Sequence, residues 1–196
     1  MATLSAFARI RATLRRFARD ARAVAAVEFA LILPPLLILY LGTIEGSSLI
    51  TVDRRVEIIS GTVGDLIARW DPEGGTIPNA TLQDYFEASE VILFPYSRTT
   101  LTMTVSVLEV QPDDSVLVVK SCAYNGGTAH AADSEYAVPL HMRNLAKGAS
   151  GFLIAAESSF SYTPTLGDIF IDPFPLYAES FYLPRYQEEV VLPADC

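Results

Sequence analysis

The residues able to do chemistry are few, and their spacing assigns most of them a structural part. His130 and His141 are the two histidines. They stand far apart and lack zinc-type spacing to Cys122 or Cys196, so neither a metal nor another cofactor is expected, and both read as surface loop and short-helix residues. Asp113-Asp114 follows Gln111-Pro112 between two apolar runs and reads as turn chemistry rather than a calcium ligand set. Asp133 and Glu135 could form an acidic pair, but no nucleophile or base accompanies them. No serine has a Gly-x-Ser-x-Gly setting, and Gly74-Gly75 and Gly126-Gly127 lack the lysine or helix start that a phosphate cradle needs. No enzyme is expected.

One carboxylate stands apart. Glu28 sits at the lip of a run, Phe29 to Ile44, that carries no charge, and six arginines lie upstream of it. An ionisable side chain at the edge of a membrane-type segment is costly, which marks it as functional by default. The chemistry available to it is charge pairing: with an amine one helical turn away, with a neighbouring helix, or by snorkelling to the membrane surface.

The elements that must place Glu28 follow from the same stretch. The apolar run alone is short for a span, but Val24 to Val52 supplies enough length if the helix tilts or its ends snorkel. Glu45, in Thr43-Ile-Glu-Gly-Ser-Ser, spoils a conventional signal cut, so the segment reads as a retained single-pass anchor. Pro34-Pro35 remove two backbone donors mid-span, which favours helical neighbours able to satisfy the freed carbonyls and predicts a kink. Residues 1–20 read either as a basic amphipathic helix on the inner leaflet or as a tail.

Charge sets the topology. The net charge of −9 divides into +5 over residues 1–23 and −14 over the remainder. Arginines before the apolar run place that side in the cytoplasm and the rest of the chain across the inner membrane. An acidic domain of this kind repels nucleic acid and anionic lipid headgroups. Cys122 and Cys196 would then lie in an oxidising compartment, either paired as a disulfide or as one buried and one free thiol. The division expected is a basic leader at 1–23, a transmembrane helix at 24–50 and an extracytoplasmic domain at 51–196, long enough for its own core.

Val52, Val56, Ile59, Val63, Leu66 and Trp70 form a helical stripe, so the helix is expected to run on from Val24 to Trp70 and lay this face on a sheet or on a partner helix. A short helix is expected from Thr81, as N-cap, to Leu93, closed by Pro95. Strands follow at Leu101–Val107 and Ser115–Tyr124, with a bulge or strand end at Glu109. A helix at Pro139–Lys147, ended by Gly148, precedes strands at Phe152–Tyr162 and Leu176–Leu183 and an edge piece at Val190–Leu192. One long helix with mostly antiparallel strands makes an α+β domain.

Arg22-Ala23-Val24-Ala25-Ala26-Val27-Glu28-Phe29-Ala30-Leu31 resembles the prepilin-type cleavage region of the TadE-like family, pseudopilin-like proteins of tight-adherence (Flp, type IVc) pilus systems. Leu36 to Glu45 is similar to that family's leucine-rich run ending in Gly-x-x-Glu, and Phe160–Pro164 and Tyr182–Arg185 are similar to its Tyr-x-Pro and Pro-Arg elements. The resemblance implies a pilin-like fold and a non-enzymatic part in pilus assembly. It implies Ala23 as the last leader residue, where the family has Gly, and Val24 as the new N-terminus after a prepilin peptidase has cut. Glu28-Phe29 would be the Glu-Phe pair. Glu28, Pro34, Pro35 and Glu45 would touch other pilins or pseudopilins. The competing readings are a membrane-anchored periplasmic binding or adhesion module and, further off, an anchored hydrolase.

Overall fold

The computed structural model describes residues 21–164, 172–186 and 188–196; the expectation for residues 1–20 lies outside the described residues. The chain is α+β and divides into two compact units after Ser47. One helix, α1 (Ala21–Ala68), belongs to both. It stays helical through Pro34 and Pro35. It ends two residues before the expected Trp70, where the chain turns; Trp70 still packs against the core below the stripe, and its indole nitrogen donates to the Gly75 carbonyl at 2.8 Å.

The second unit is a four-stranded antiparallel sheet of β1 (Thr102–Val110), β2 (Val116–Tyr124), β3 (Phe152–Tyr162) and β4 (Phe174–Tyr182), in the order β2-β1-β3-β4. One face carries the later half of α1 and helix α2 (Asn79–Leu93). Val52, Val56, Ile59, Val63 and Ile67 of α1 and Leu82, Phe86 and Leu93 of α2 pack there with Met103, Val105, Val107, Ile154, Ala156 and Phe160 of the strands. Ile67, rather than the expected Leu66, continues the stripe; Leu66 is only half-buried. Helix α1 lies close to the sheet because glycine permits it. A Cβ on Gly64 would stand 2.6 and 2.8 Å from two atoms of the Tyr182 ring and 3.2 Å from the Ala156 Cβ. Polar ties complete the seam: the Ser158 hydroxyl donates to the Val56 carbonyl at 2.8 Å, and the Ser60 and Ser180 hydroxyls bond at 3.0 Å.

The opposite face is also covered at one end. Helix α3 (Leu140–Lys147) and the stretch before it bury Leu108, Val116, Val118, Leu153 and Ala155 with Tyr136, Val138 and Ala146. On this face of β3, Leu153 and Ala155 are buried as completely as Ile154 on the other. Two-sided cover makes a strand read as a continuous apolar run rather than an alternating one.

Several local expectations need correction. Thr81 is inside α2; Pro78 caps it without a side-chain bond, since proline fixes the extended backbone at a helix start. The bulge comes between Val107 and Leu108, where Val119 of β2 is left unpaired, and Glu109 remains in the strand as an exposed residue bonded by Gln111 Nε2 at 2.9 Å. Gly148 closes α3 in a right-handed conformation (φ −76°), and the left-handed residue is Gly151 (φ 83°). Val190–Leu192 is not a strand. Val190 and Leu192 are buried, and the Val191 carbonyl accepts from Ile77 N at 2.9 Å, so this piece packs as a strap against the loop before α2. The hairpin at Gln111–Asp114 forms, with Asp114 at φ 74° and the Asp113 carboxylate accepting from Ser115 N and Oγ.

Candidate functional site: the apolar half of the long helix

Among the described residues the first unit offers no core of its own. From Val24 to Ile44 every side chain of α1 is exposed, including Phe29, Leu31 and Ile38, the last two at 71%. Such a surface is unstable in water at ~25 cal/mol per Å² of apolar area. Among the described residues this is one helix long and apolar enough to cross a membrane. The sequence explains why it is helical. Leu, Ile and Ala dominate, and a backbone that satisfies its own hydrogen bonds is the form lipid tolerates for a single segment.

The residues singled out from the sequence lie along this helix. Ala23 and Val24 are in its opening turns, with Glu28 and Phe29 one turn later, both exposed. Val24 and Glu28 are four apart, so they share a face. Pro34 and Pro35 leave the carbonyls of Ala30 and Leu31 without their usual donors inside the exposed section. Thr43 Oγ1 donates to the Tyr40 carbonyl at 2.7 Å, and Glu45 is half-buried. The helix thus presents, on a lipid-type surface, one exposed carboxylate near its start and two proline-freed carbonyls. Each is a group that a neighbouring helix or a chain-terminal amine can satisfy.

This geometry is where the comparison with known families falls. Residues 23–57 match the family described as TadE-like protein. The matched stretch covers the exposed apolar run and its passage into the second unit. No curated protein and no solved structure matches the chain.

Outside the TadE-like segment the structure assembles a polar cluster on the sheet that sequence reasoning missed. Glu157 and Glu179 are directly paired across β3 and β4. His130 Nε2 bonds Glu157 Oε2 at 2.6 Å, the Tyr177 hydroxyl donates to Glu157 Oε1 at 2.7 Å, and the Tyr136 hydroxyl donates to Glu179 Oε1 at 2.6 Å. Desolvation first, then the neighbouring Glu157 charge, raises the Glu179 pKa, partly countered by the bond from Tyr136. Burial and the carboxylates they bond push both tyrosines well above their ordinary range. His130 is therefore not a free surface residue; the loop carrying it is nailed to the sheet. The only signal available in the sequence was the phase of Glu157 and Glu179 on the polar side of two strands.

The cluster borders two shallow cavities. One, of about 500 Å³, is lined by Asp114, Glu135, Tyr136, Arg143 and Glu179; the other, of about 220 Å³, by Thr104, His130, Glu157, Ser159 and Tyr177. The Thr104 and Ser158 hydroxyls in the second cavity bond the Thr128 and Val56 carbonyls rather than His130. Asp133 and Glu135 fall in the segment that closes the outer edge of β2, where Asp133 N donates to the Val118 carbonyl at 2.8 Å. His141 is exposed on α3. Among the described residues there is no group of three His, Cys, Asp or Glu side chains placed to hold a metal.

Cys122 of β2 and Cys196 at the C-terminus form a disulfide with Cα atoms 5.2 Å apart. With it, the Lys120 ammonium bonds the Ala194 carbonyl at 3.1 Å, so the last residues are held against β2.

Proposed function

We propose that this protein is a minor pseudopilin-like structural component that assists assembly of a Tad (Flp, type IVc) pilus, and that it is not an enzyme. The observation that carries the reading is the TadE-like match at residues 23–57, which coincides with a helix exposed and apolar over its first half. In this reading α1 spans the inner membrane once with its N-terminus in the cytoplasm, and residues 51–196 form the periplasmic domain, on the oxidising side that suits the disulfide. A prepilin peptidase cuts after Ala23, freeing the Val24 amine. Glu28 then neutralises that amine or the amine of a neighbouring pilin, offsetting a cost on the order of 2–3 kcal/mol for a carboxylate at mid-span and less near the interface. The pair fixes the longitudinal register between helices, and Pro34-Pro35 and Glu45 contact the same neighbours.

N-terminal sequencing of the membrane-extracted protein tests the processing step: Val24 as first residue is expected, and an uncut leader refutes it. Glu28→Ala tests the contact. Loss of surface pili and of co-purifying pilins is expected, while unchanged piliation and partners remove Glu28 from the assembly.

A further inference from the structure

The sheet face turned away from α1 and α2 is apolar where α3 covers it. Beyond that cover the strand register sets two polar rows across β1, β3 and β4. Thr102, Ser159 and Tyr177 stand opposite one another in one row, and Thr104, Glu157 and Glu179 in the next. Neighbouring strands lie ~4.8 Å apart, and residues two apart along a strand lie ~7 Å apart on one face. The result is a polar grid on the scale of a sugar ring.

The loop after β2 stands along this grid as a wall. It comes down on β1 at Gly127, where a Cβ would lie 2.7 Å from the Met103 carbonyl oxygen and 3.1 Å from Thr104 Oγ1. Thr104 Oγ1 donates to the Thr128 carbonyl at 3.2 Å, and the bond between His130 and Glu157 closes the loop on β3. Grid and wall bound the cavity of about 220 Å³. Because its sides are already bonded to one another, the cavity is preformed.

Its chemistry narrows the ligand. Glu157 lines the cavity, Glu179 is its cross-strand neighbour, and no lysine or arginine is among the described lining residues, so an anion is repelled. An ammonium group only donates, and would leave unused the hydroxyl protons of Thr102 and Ser159, which bond no described protein group. A ligand that donates and accepts at adjacent points answers the whole set. Glu157 takes one bond on each oxygen, from Tyr177 and from His130. A carboxylate has about four acceptor positions, so about half of its capacity remains. Tyr177 adds an apolar surface: its ring is 58% exposed, yet its hydroxyl is held by Glu157 at 2.7 Å. The face of an aromatic ring is electron-rich and attracts the weakly positive C–H face of a pyranose. Hydroxyls around the rim of a ring with apolar faces describe a neutral sugar.

We propose that the second unit binds a neutral saccharide, with one pyranose ring seated on Tyr177, Ser159, Thr102 and Glu157 against the loop wall. Pockets that enclose whole small ligands run to ~300–1,000 Å³, so this cavity takes a single ring of a longer chain and leaves the rest in solvent. One ring held this way binds with a Kd on the order of 1 mM. The inference goes beyond the pilus reading and does not depend on it, because all of these residues belong to the second unit.

The test uses the full chain in lauryldimethylamine oxide, a detergent without a sugar headgroup. Saturation-transfer NMR follows titration with cellotetraose, chitotetraose and tetragalacturonate. Transfer to one or both neutral tetraoses is expected, and none to tetragalacturonate. Preference for chitotetraose identifies an N-acetylated, wall-type glycan as the source, and preference for cellotetraose an unacetylated polysaccharide; each supports the proposal. Tyr177→Ala should weaken binding about tenfold. Ser159→Ala breaks no described bond within the protein, so it keeps the fold and should weaken binding severalfold. Tyr186→Ala, at a similarly exposed tyrosine beyond the end of β4, should change nothing. The proposal is overturned by no transfer to either neutral tetraose, by equal binding of tetragalacturonate, or by binding indifferent to both Tyr177→Ala and Ser159→Ala. None of these outcomes bears on the N-terminal cut or on Glu28.

Discussion

Gly64→Ala probes the seam on which the domain is built. Cβ at Gly64 would lie 2.6 and 2.8 Å from the Tyr182 ring and 3.2 Å from Ala156, against a normal carbon–carbon approach of about 3.5–4.0 Å. The ring sits between α1 and the sheet, and Ala156 backs the same spot from β3, so either α1 or the end of β4 must shift by about an ångström. Overpacking of this kind costs about 1–3 kcal/mol. Alanine returns ~1 kcal/mol of helix propensity in a helix interior. Two ring atoms in collision put the overpacking at the upper end of that range, about 2–3 kcal/mol, so the net expected is a loss of about 1–2 kcal/mol, or a fall in Tm of a few degrees for a domain of this size, at ~2–4 °C per kcal/mol. Urea unfolding of the full chain in detergent, followed by Trp70 emission, reads it. Gly61→Ala is the control: its nearest neighbour is the Tyr182 hydroxyl at 3.3 Å, the movable end of a side chain, so a gain of up to ~1 kcal/mol from helix propensity is expected there. In a Tyr182→Leu background the cost of Gly64→Ala should shrink, since the obstructing ring is gone. A Gly64→Ala chain as stable as the parent, or a cost unchanged by Tyr182→Leu, would refute the close approach of α1 to β4.

Two further outcomes follow from the domain. Cys196→Ser, or reduction, opens a loop spanning 74 residues, and the chain-entropy relation assigns such a loop about 4 kcal/mol; a loss of that order in urea is expected, together with faster proteolysis of the strap at residues 188–196. A smaller loss would mean that the burial of Val190 and Leu192 holds the strap by itself. Glu179→Gln is expected to stabilise the protein at neutral pH. The folded-state pKa of Glu179 is raised, so its ionisation opposes folding as pH rises above the ordinary carboxylate value of 4.5, and the advantage of Gln should fade as pH falls below it. Parallel pH–stability curves for the two proteins would refute that, and would make the Tyr136 bond to Glu179 the dominant influence.

How much was legible in the residues depends on where each signal is stored. The apolar run, its flanking arginines and the lone Glu28 are properties of composition and order, and with the helical stripe from Val52 they determined a long helix, apolar at first and amphipathic later. The existence and sequence order of the strands and short helices were legible for the same reason, because period and turn residues are local. What the tertiary structure decided is what distant segments do to one another. Leu153 and Ala155 are buried because α3 covers a second face of the sheet; the apolar run Phe152–Ala156 fits two-sided cover but does not say which segment supplies it. Val190–Leu192 has the composition of a strand but meets the loop before α2 rather than a sheet edge. His130 looks solitary until β3 and β4 bring Glu157 and Glu179 side by side. Arg55 reads as one charge on a helix surface, and only folding places the carbonyls of Ile92, Leu93 and Phe94 around it. Local hydrogen bonding and hydrophobic period act over a few residues and are written in order along the chain; partners thirty to a hundred residues apart are chosen by packing, which the chain specifies only as a whole.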